Sequence, residues 1–302
     1  MNRNLDLMLT ALAPAIWGSS YLVTTQFLPD GYPVTVAFLR ALPAGLLLLL
    51  VVRRLPSGWW WLRVAILGAL NFSIFWTLLF VAAYRLPGGV AATVGAIQPL
   101  VVVFLARGLL GSPIRGLSVL AALFGLGGVA LLLLTPQAAL DPLGVAAGLG
   151  GAVSMAAGTV LSRKWQPPVG LLTFTAWQLT AGGFILLPLA FLLEPALPPL
   201  TDRNVMGLAY LGLIGAAFTY ALWFRGIARL EPAAVSALGF LSPTTAVVLG
   251  WLILGEALTP LQGAGILIVL ASVWLSQQAG RLRVAFPIAR CNPGNKPLEI
   301  ET

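Results

Sequence analysis

Residues 116–135 read GLSVLAALFGLGGVALLLLT, a run of 20 positions without a charged side chain. An α-helix rises about 1.5 Å per residue, so about 20 apolar residues cross the ~30 Å hydrocarbon layer of a bilayer. A helix that is apolar on every side has no face suited to water. We therefore predict that this stretch spans a membrane.

Similar runs fill most of the chain and are separated by short breaks rich in proline and glycine. Hydrophobic residues make up 59% of the 302 positions and charged residues only 9%, and the mean hydropathy is +0.95. This composition leaves no stretch that could bury a separate water-soluble core, which excludes a soluble catalytic domain. We predict ten spanning helices, near residues 7–27, 33–52, 62–84, 88–110, 115–135, 143–163, 171–192, 204–228, 232–254 and 260–278.

The basic residues indicate how the chain is oriented in the membrane. With both termini in the cytoplasm, every basic residue lies at the inner side except Arg40, Arg85 and Arg203, as the positive-inside rule requires. Topology thus explains the net charge of +8, and we expect the lipid bilayer rather than nucleic acid as the partner. Residues 280–302 lack an apolar period and are expected to be a disordered cytoplasmic tail.

The ten predicted helices divide into two similar halves, 1–138 and 139–279. Because each half has five helices, an odd number, the second half enters the membrane from the opposite side, and the repeats are inverted. Two such halves can exchange conformations and turn an outward-open cavity into an inward-open one; plain duplication of a scaffold is the alternative. The matched positions are Arg85-Leu86 with Arg229-Leu230, Gln98-Pro99 with Ser242-Pro243, Leu110-Gly111 with Leu254-Gly255, and Gly45 with Gly183.

Short motifs are spread over both halves: Trp17-Gly18-Ser19 in the first predicted helix, Arg40 in the second, Pro99 in the fourth, and the helix end Leu254-Gly255-Glu256 followed by Thr259 and Gly263. In their order they resemble the EamA type of the drug/metabolite transporter superfamily, and within it YddG-type exporters of aromatic amino acids. The first half departs from the pattern at Gly111-Ser112-Pro113, which lacks the glutamate found at Glu256. The resemblance implies a multi-pass protein of the bacterial inner membrane that exports amino acids by alternating access, without a cofactor. We expect a monomer.

Charged residues restrict how such a transporter is driven. All nine acidic residues fall in loops, helix ends or tails, and the chain has no histidine. Ion-coupled carriers usually keep an acid inside the membrane, so we predict a facilitator or exchanger. Arg40 is the one charge well inside a predicted helix. It would either meet a substrate carboxylate or bond helix carbonyls.

Aromatic and polar side chains within the predicted helices are candidates for the substrate site. Flat ring faces suit planar or cationic groups, and polar groups in hydrocarbon need partners; helix packing and lipid contact are the alternative. The candidates are Trp17, Ser20, Tyr21, Asn71, Phe75, Trp76, Thr93, Gln98, Ser154, Trp177, Gln178, Thr219, Tyr220, Trp223 and Ser242.

Prolines inside predicted helices suggest where the halves move. Pro43, Pro99 and Pro243 are expected to interrupt helix interiors, because each removes a backbone donor. Pro99 and Pro243 occupy equivalent positions in the two halves. Gly95 and Gly239 lie four residues before these two prolines, match each other in the repeat and allow close helix approach. Pro99, Pro243, Gly95 and Gly239 are the predicted hinges.

There are alternatives to amino-acid export, both among carriers and in other classes of protein. A metabolite or organic-cation carrier of the same superfamily would also suit aromatic rings. An intramembrane enzyme would need an activated nucleophile at depth, yet the single cysteine, Cys291, lies in the tail and histidine is absent. We therefore predict no catalytic residues, no metal site and no enzyme; a lipid scramblase is the other alternative from a different class.

Overall fold

The computed structural model describes residues 3–86, 94–133, 141–255 and 257–279, with the side chains of Tyr21, Phe80, Ala83 and Tyr84 left out. Within these ranges the regular secondary structure is helical, joined by short loops, and no strand occurs. The predicted tail and Thr93 lie outside the described residues, as does the first part of the predicted helix 88–110.

Nine described helices are long and apolar enough to cross a membrane, and a tenth, α4, is a shorter apolar helix. This confirms an all-helical membrane fold. The helices are α1 (Arg3–Phe27), α2 (Pro33–Val52), α3 (60–85), α4 (Gln98–Leu110), α5 (Gly116–Leu133), α6 (Pro142–Lys164), α7 (Leu171–Leu193), α8 (Asp202–Arg229), α9 (Pro232–Leu254) and α10 (Pro260–Ala279).

Two helices contain π-helical segments, at Ala69–Ser73 in α3 and at Tyr210–Phe218 in α8. A π turn inserts one extra residue into the ladder of backbone hydrogen bonds, and such turns are frequent at functional sites. In α8 the carbonyl of Gly215 also accepts side-chain hydrogen bonds from Arg40 and Thr219. These additional donors help to stabilise the wider turn.

Two helices are broken just before a proline. Residues 96–97 form a turn ahead of α4, and α9 is divided at residues 239–240 into Pro232–Leu238 and Leu241–Leu254. Pro99 and Pro243 follow these turns and cannot donate a backbone hydrogen bond to the preceding turn. Pro43 behaves differently, because α2 continues through it without a break. The expectation that all three prolines interrupt helices was therefore wrong for Pro43.

Glycines allow the closest contacts between helices. In α2, a Cβ at Gly45 would lie 2.5 Å from the backbone nitrogen of Thr180 in α7. In α7, a Cβ at Gly183 would lie 2.6 Å from the Cβ of Leu42 in α2. Likewise Gly18 brings α1 against α9, where a Cβ would lie 2.5 Å from the carbonyl oxygen of Ser242. Close backbone contact of this kind stabilises helix pairs in lipid, where the hydrophobic effect is absent.

Candidate functional site

A cluster of aromatic rings fills the centre of the bundle between α1, α3 and α8. Trp17 lies 4.9 Å from Tyr220 and 5.2 Å from Trp223 between ring centroids. Phe72 lies 4.6 Å from Tyr220 and 5.3 Å from Trp76. We call these five residues the aromatic cluster. Their tilted and edge-on rings are the arrangements that aromatic pairs prefer.

Sequence reasoning identified four members of the aromatic cluster and missed Phe72. Phe72 precedes Trp76 by four residues, so both lie on the same side of α3. Phe224 was missed as well. It follows Tyr220 by four residues, and the centroids of the two rings lie 5.8 Å apart. The i, i+4 spacing of aromatic residues was the available signal.

A chain of hydrogen bonds joins the aromatic cluster to Arg40. The indole nitrogen Nε1 of Trp17 donates to Oγ1 of Thr219 over 2.8 Å, and this hydroxyl donates to the carbonyl of Gly215 over 2.9 Å. Nη2 of Arg40 donates to the same carbonyl over 2.5 Å. The guanidinium also lies over the ring of Trp76, 5.0 Å from its centroid. A positive charge thus borders the aromatic cluster on one side.

Two polar atoms beside the aromatic cluster have no hydrogen-bond partner among the described residues. One is Nε1 of Trp223, although this side chain is only 1% exposed. The other is the hydroxyl of Ser20, one turn along α1 from Trp17. Unpaired buried donors are uncommon in folded proteins. Both atoms are buried in this structure.

Asn71, Gln178 and Ser154 form a separate polar group between α3, α6 and α7. Nδ2 of Asn71 donates to Oε1 of Gln178 over 2.8 Å and lies 3.4 Å from Oγ of Ser162. The hydroxyl of Ser154 donates to the carbonyl of Leu70 over 2.8 Å. Because these groups bond one another and the backbone, the arrangement fits helix association at least as well as substrate contact.

Two further aromatic candidates, Trp177 and Phe75, make other contacts. Nε1 of Trp177 donates to the backbone carbonyl of Arg54 over 2.6 Å, and its ring packs 6.3 Å from Trp60. Phe75 is partly buried and packs against the central core. The backbone of Tyr21 is helical, one turn along α1 from Trp17. The structure therefore divides the candidate residues into several groups.

The two helix breaks approach each other beside α1. A Cβ at Gly239 would lie 3.9 Å from Oε1 of Gln98, and Nε2 of Gln98 has no partner in the described part of the chain. Ser242 is partly buried, and its carbonyl faces Gly18. Gly95, which precedes the turn at 96–97, has open space where a side chain would be. The predicted hinge residues thus lie at or next to breaks in the helices.

A cavity of about 300 Å³ opens near the aromatic cluster, at the end of the bundle opposite the N-terminus. Thr77 in its wall directly follows Trp76 in the chain, and the buried hydroxyl of Thr77 has no described partner. Its volume suits a small molecule. The cavity is lined by Gly31, Pro33, Val34, Thr77, Val81, Leu193 and Glu194.

The fold and the sequence both match known proteins. The EamA-like transporter family matches the chain twice, over residues 5–134 and 142–277. The chain belongs to the EamA-like transporter family. The resemblance to this family is thereby confirmed, and this member of the EamA-like family is a multi-pass membrane protein of transporter type.

Relatives cover most of the chain. Protein PecM of Dickeya dadantii is 44% identical over 267 residues, which is 88% of this chain and 90% of PecM. The inner membrane transporter YedA of Escherichia coli, itself described as uncharacterized, is 29% identical over 90% of both chains. A crystal structure with 20% sequence identity superposes with a TM-score of 0.79, covering 93% of this chain and all of the other. At that identity the likeness concerns the fold alone.

Proposed function

We propose that this EamA-like protein exports neutral, chiefly aromatic, amino acids across the bacterial inner membrane. The observation that carries the proposal is the buried aromatic cluster with Arg40 at its border. Rings of Trp17 and Tyr220 offer apolar faces to an aromatic side chain. Arg40 offers a guanidinium to a carboxylate, once it exchanges the carbonyl of Gly215 for the substrate. The N–H of Trp223, which has no partner among the described residues, supplies a further donor.

The proposed mechanism is alternating access by two inverted repeats of five helices, with both termini in the cytoplasm. Reciprocal packing of α2 and α7 supports it. The register that places Gly45 on Gly183 also places Leu42 on Thr180. Gly45 packs on Thr180 and Gly183 packs on Leu42, so the contact is unchanged when the halves are exchanged. Such self-complementarity is typical of elements related by a two-fold axis.

Two further pairs of features support the same symmetry. The register that places Arg85 on Arg229 places the π segment of α3 on residues 213–217, inside the π segment of α8. It also places the turn at 96–97 within one residue of the turn at 239–240. Broken helices near the centre of the membrane are a common feature of transporter binding sites. We infer that these segments move when the halves exchange conformations.

The direct test is counterflow in proteoliposomes with labelled phenylalanine, tryptophan, threonine and methionine. We expect exchange of the aromatic amino acids without an imposed proton or sodium gradient. A nucleotide sugar and a quaternary amine serve as controls, and uptake of the amine alone would favour the organic-cation alternative. Absence of exchange for every amino acid would overturn the substrate assignment. Dependence on an ion gradient would overturn the facilitator mechanism.

Variants connect this assay to the site. Trp17→Ala and Trp223→Ala should reduce counterflow while folded protein is still produced, because the proposal places these two rings in contact with the substrate. If both rings serve packing alone, the yield of folded protein falls instead. Arg40→Gln should reduce exchange of phenylalanine more than exchange of an analogue that lacks the carboxylate.

A further inference from the structure

A buried cluster of charges joins α1 to the end of α8. Oδ1 of Asp6 lies 2.5 Å from Nη2 of Arg225 and 3.3 Å from Nη1 of Arg229. The Asp6 side chain is only 8% exposed. Nearby, Gly226 lets the helices touch, since a Cβ there would lie 2.3 Å from Cγ2 of Thr10. We call this ion-paired contact the Asp6 contact.

A corresponding ion pair lies at the opposite end of the bundle, between α6 and α3. Oδ2 of Asp141 lies 3.6 Å from Nη1 of Arg85, and the two side chains are 38% and 47% exposed. Here too a glycine allows close approach, because a Cβ at Gly144 would lie 2.7 Å from Cγ of Leu86. We call this ion-paired contact the Asp141 contact.

The two contacts occupy corresponding places in the proposed repeats. Arg85-Leu86 matches Arg229-Leu230, and both leucines end their helix in an extended conformation with the N–H bonded four residues back. Each aspartate lies at the start of the first helix of its half. Each ion pair therefore joins one half to the other, at opposite ends of the bundle.

The charges at the two ends are balanced differently. Besides Arg225 and Arg229, Arg163 reaches the end of α8 and donates to the carbonyl of Ile227 over 3.0 Å and to that of Ala228. Asp6 is thus the acid that two arginines contact, while a third arginine bonds the backbone at the end of the same helix. Neutralising it would leave like charges facing one another in a partly buried place. The Asp141 contact has one acid and one base, and both of its side chains are more exposed than those of Asp6 and Arg225.

We propose that the Asp6 contact and the Asp141 contact are opposed latches, which hold the cytoplasmic and the external entrances shut in alternate conformations. The inference rests on the alternating-access function proposed above. Because each latch joins the two halves, a rotation of one half against the other loosens one latch as it tightens the other. The shorter and more buried Asp6 contact makes the cytoplasmic entrance the more firmly closed one in this structure.

Cysteine accessibility tests the latches without any substrate. Cys291 is the only cysteine, so Cys291→Ser provides a background without thiols. Thr10→Cys reports on the Asp6 contact and Leu86→Cys on the Asp141 contact, since both residues are buried there. The rate of reaction with a membrane-impermeant maleimide is measured with each reporter in its own protein, in inside-out vesicles for position 10 and in right-side-out vesicles for position 86.

Asparagine variants remove the charge and keep the shape. We expect Asp6→Asn to raise the labelling rate at position 10 about tenfold and to lower it at position 86. Asp141→Asn should do the reverse, while its amide still accepts the cap hydrogen bond from Gly144 that Asp141 accepts now. The matched control is Asp202→Asn, which neutralises an exposed acid at the start of α8. It should change neither rate.

The outcomes are separable. Rates that rise together at both reporters, or a similar change with Asp202→Asn, would overturn the latches in favour of general loosening. If Asp6→Asn yields no folded protein, Arg225→Gln breaks the same contact from α8 and must open position 10. Opposed reporter changes without amino-acid counterflow would support the latches and sink only the substrate assignment. Amino-acid counterflow with unchanged labelling rates at both reporters would support the substrate assignment and overturn the latches.

Discussion

The indole nitrogen of Trp17 donates a 2.8 Å hydrogen bond to the hydroxyl of Thr219, a residue 202 positions further along the chain. This bond ties α1 to the π segment of α8, because Thr219 in turn donates to the carbonyl of Gly215. Arg40 of α2 donates to that carbonyl as well. Three helices thus meet at one carbonyl beside the aromatic cluster, and two hydrogen bonds through Thr219 join this carbonyl to the ring of Trp17.

Thr219→Val tests this connection. Valine keeps the shape but leaves the N–H of Trp17 without its acceptor, which costs about 1–3 kcal/mol when the group stays buried. We expect a lower unfolding midpoint in detergent and at least a threefold loss of counterflow, because the ring of Trp17 is no longer held. Thr25→Val is the control: Thr25 is exposed on α1 and bonds only its own helix. Equal effects of the two changes would contradict the role of the bond.

Two tryptophans distinguish substrate contact from structural bonding. Trp177 donates to the carbonyl of Arg54, whereas the N–H of Trp223 has no described partner. Replacement by phenylalanine removes the N–H in both cases. We expect Trp177→Phe to lower stability and Trp223→Phe to lower transport more than stability. Unfolding midpoints and counterflow rates, measured on the same preparations, decide the matter; a reversed pattern would remove Trp223 from the site.

Gly183→Ala should destabilise the pair of α2 and α7. The added methyl would lie 2.6 Å from Cβ and 2.7 Å from Cα of Leu42, so the helices must separate, and overpacking of this kind costs about 1–3 kcal/mol. Gly127→Ala is the matched control in α5, where nothing lies within 4 Å of the new methyl. Alanine favours a helix by about 1 kcal/mol there. We expect the unfolding midpoint to fall for Gly183→Ala and to rise for Gly127→Ala. A higher midpoint for Gly183→Ala would refute the close packing of Gly183 on Leu42.

Asn71 and Gln178 should show energetic coupling. A double-mutant cycle with Asn71→Ala and Gln178→Ala is expected to give an interaction of about 0.6 kcal/mol and at most about 1.7 kcal/mol, the average and the maximum for side-chain hydrogen bonds between membrane helices. Unfolding in mixed SDS micelles measures it. Asn71→Ala combined with Thr244→Ala is the control, since Thr244 bonds the carbonyl of Phe240 in its own helix. Strict additivity for Asn71 and Gln178 would show that the bond contributes nothing.

The helices themselves were predictable from the sequence. The bounds of α2 and α9 agree with the predicted runs 33–52 and 232–254, and the other described ends differ by a few residues, apart from α4. Each run of about 20 apolar residues must satisfy its own backbone in lipid, and a helix does this with local hydrogen bonds alone. Local composition was therefore sufficient.

The π segments were not predictable in this way. The same residues support an α turn or a π turn, and partners outside the helix influence the choice. In α8 the carbonyl of Gly215 bonds Arg40, which lies in another helix. In α3 the carbonyl of Leu70 accepts the hydroxyl of Ser154 from α6. Neither partner can be recognised from hydropathy.

The sequence by itself determined that this chain lies in a membrane, which residues form the spanning helices, and which family it resembles. Only the tertiary structure decided which side chains meet: Trp17 with Thr219, Asn71 with Gln178, and Asp6 with two arginines of α8. The physical reason is the separation along the chain between the residues that interact. Spanning helices follow from the transfer of neighbouring residues into lipid, whereas the partner of a buried polar group depends on how helices far apart in the chain pack together.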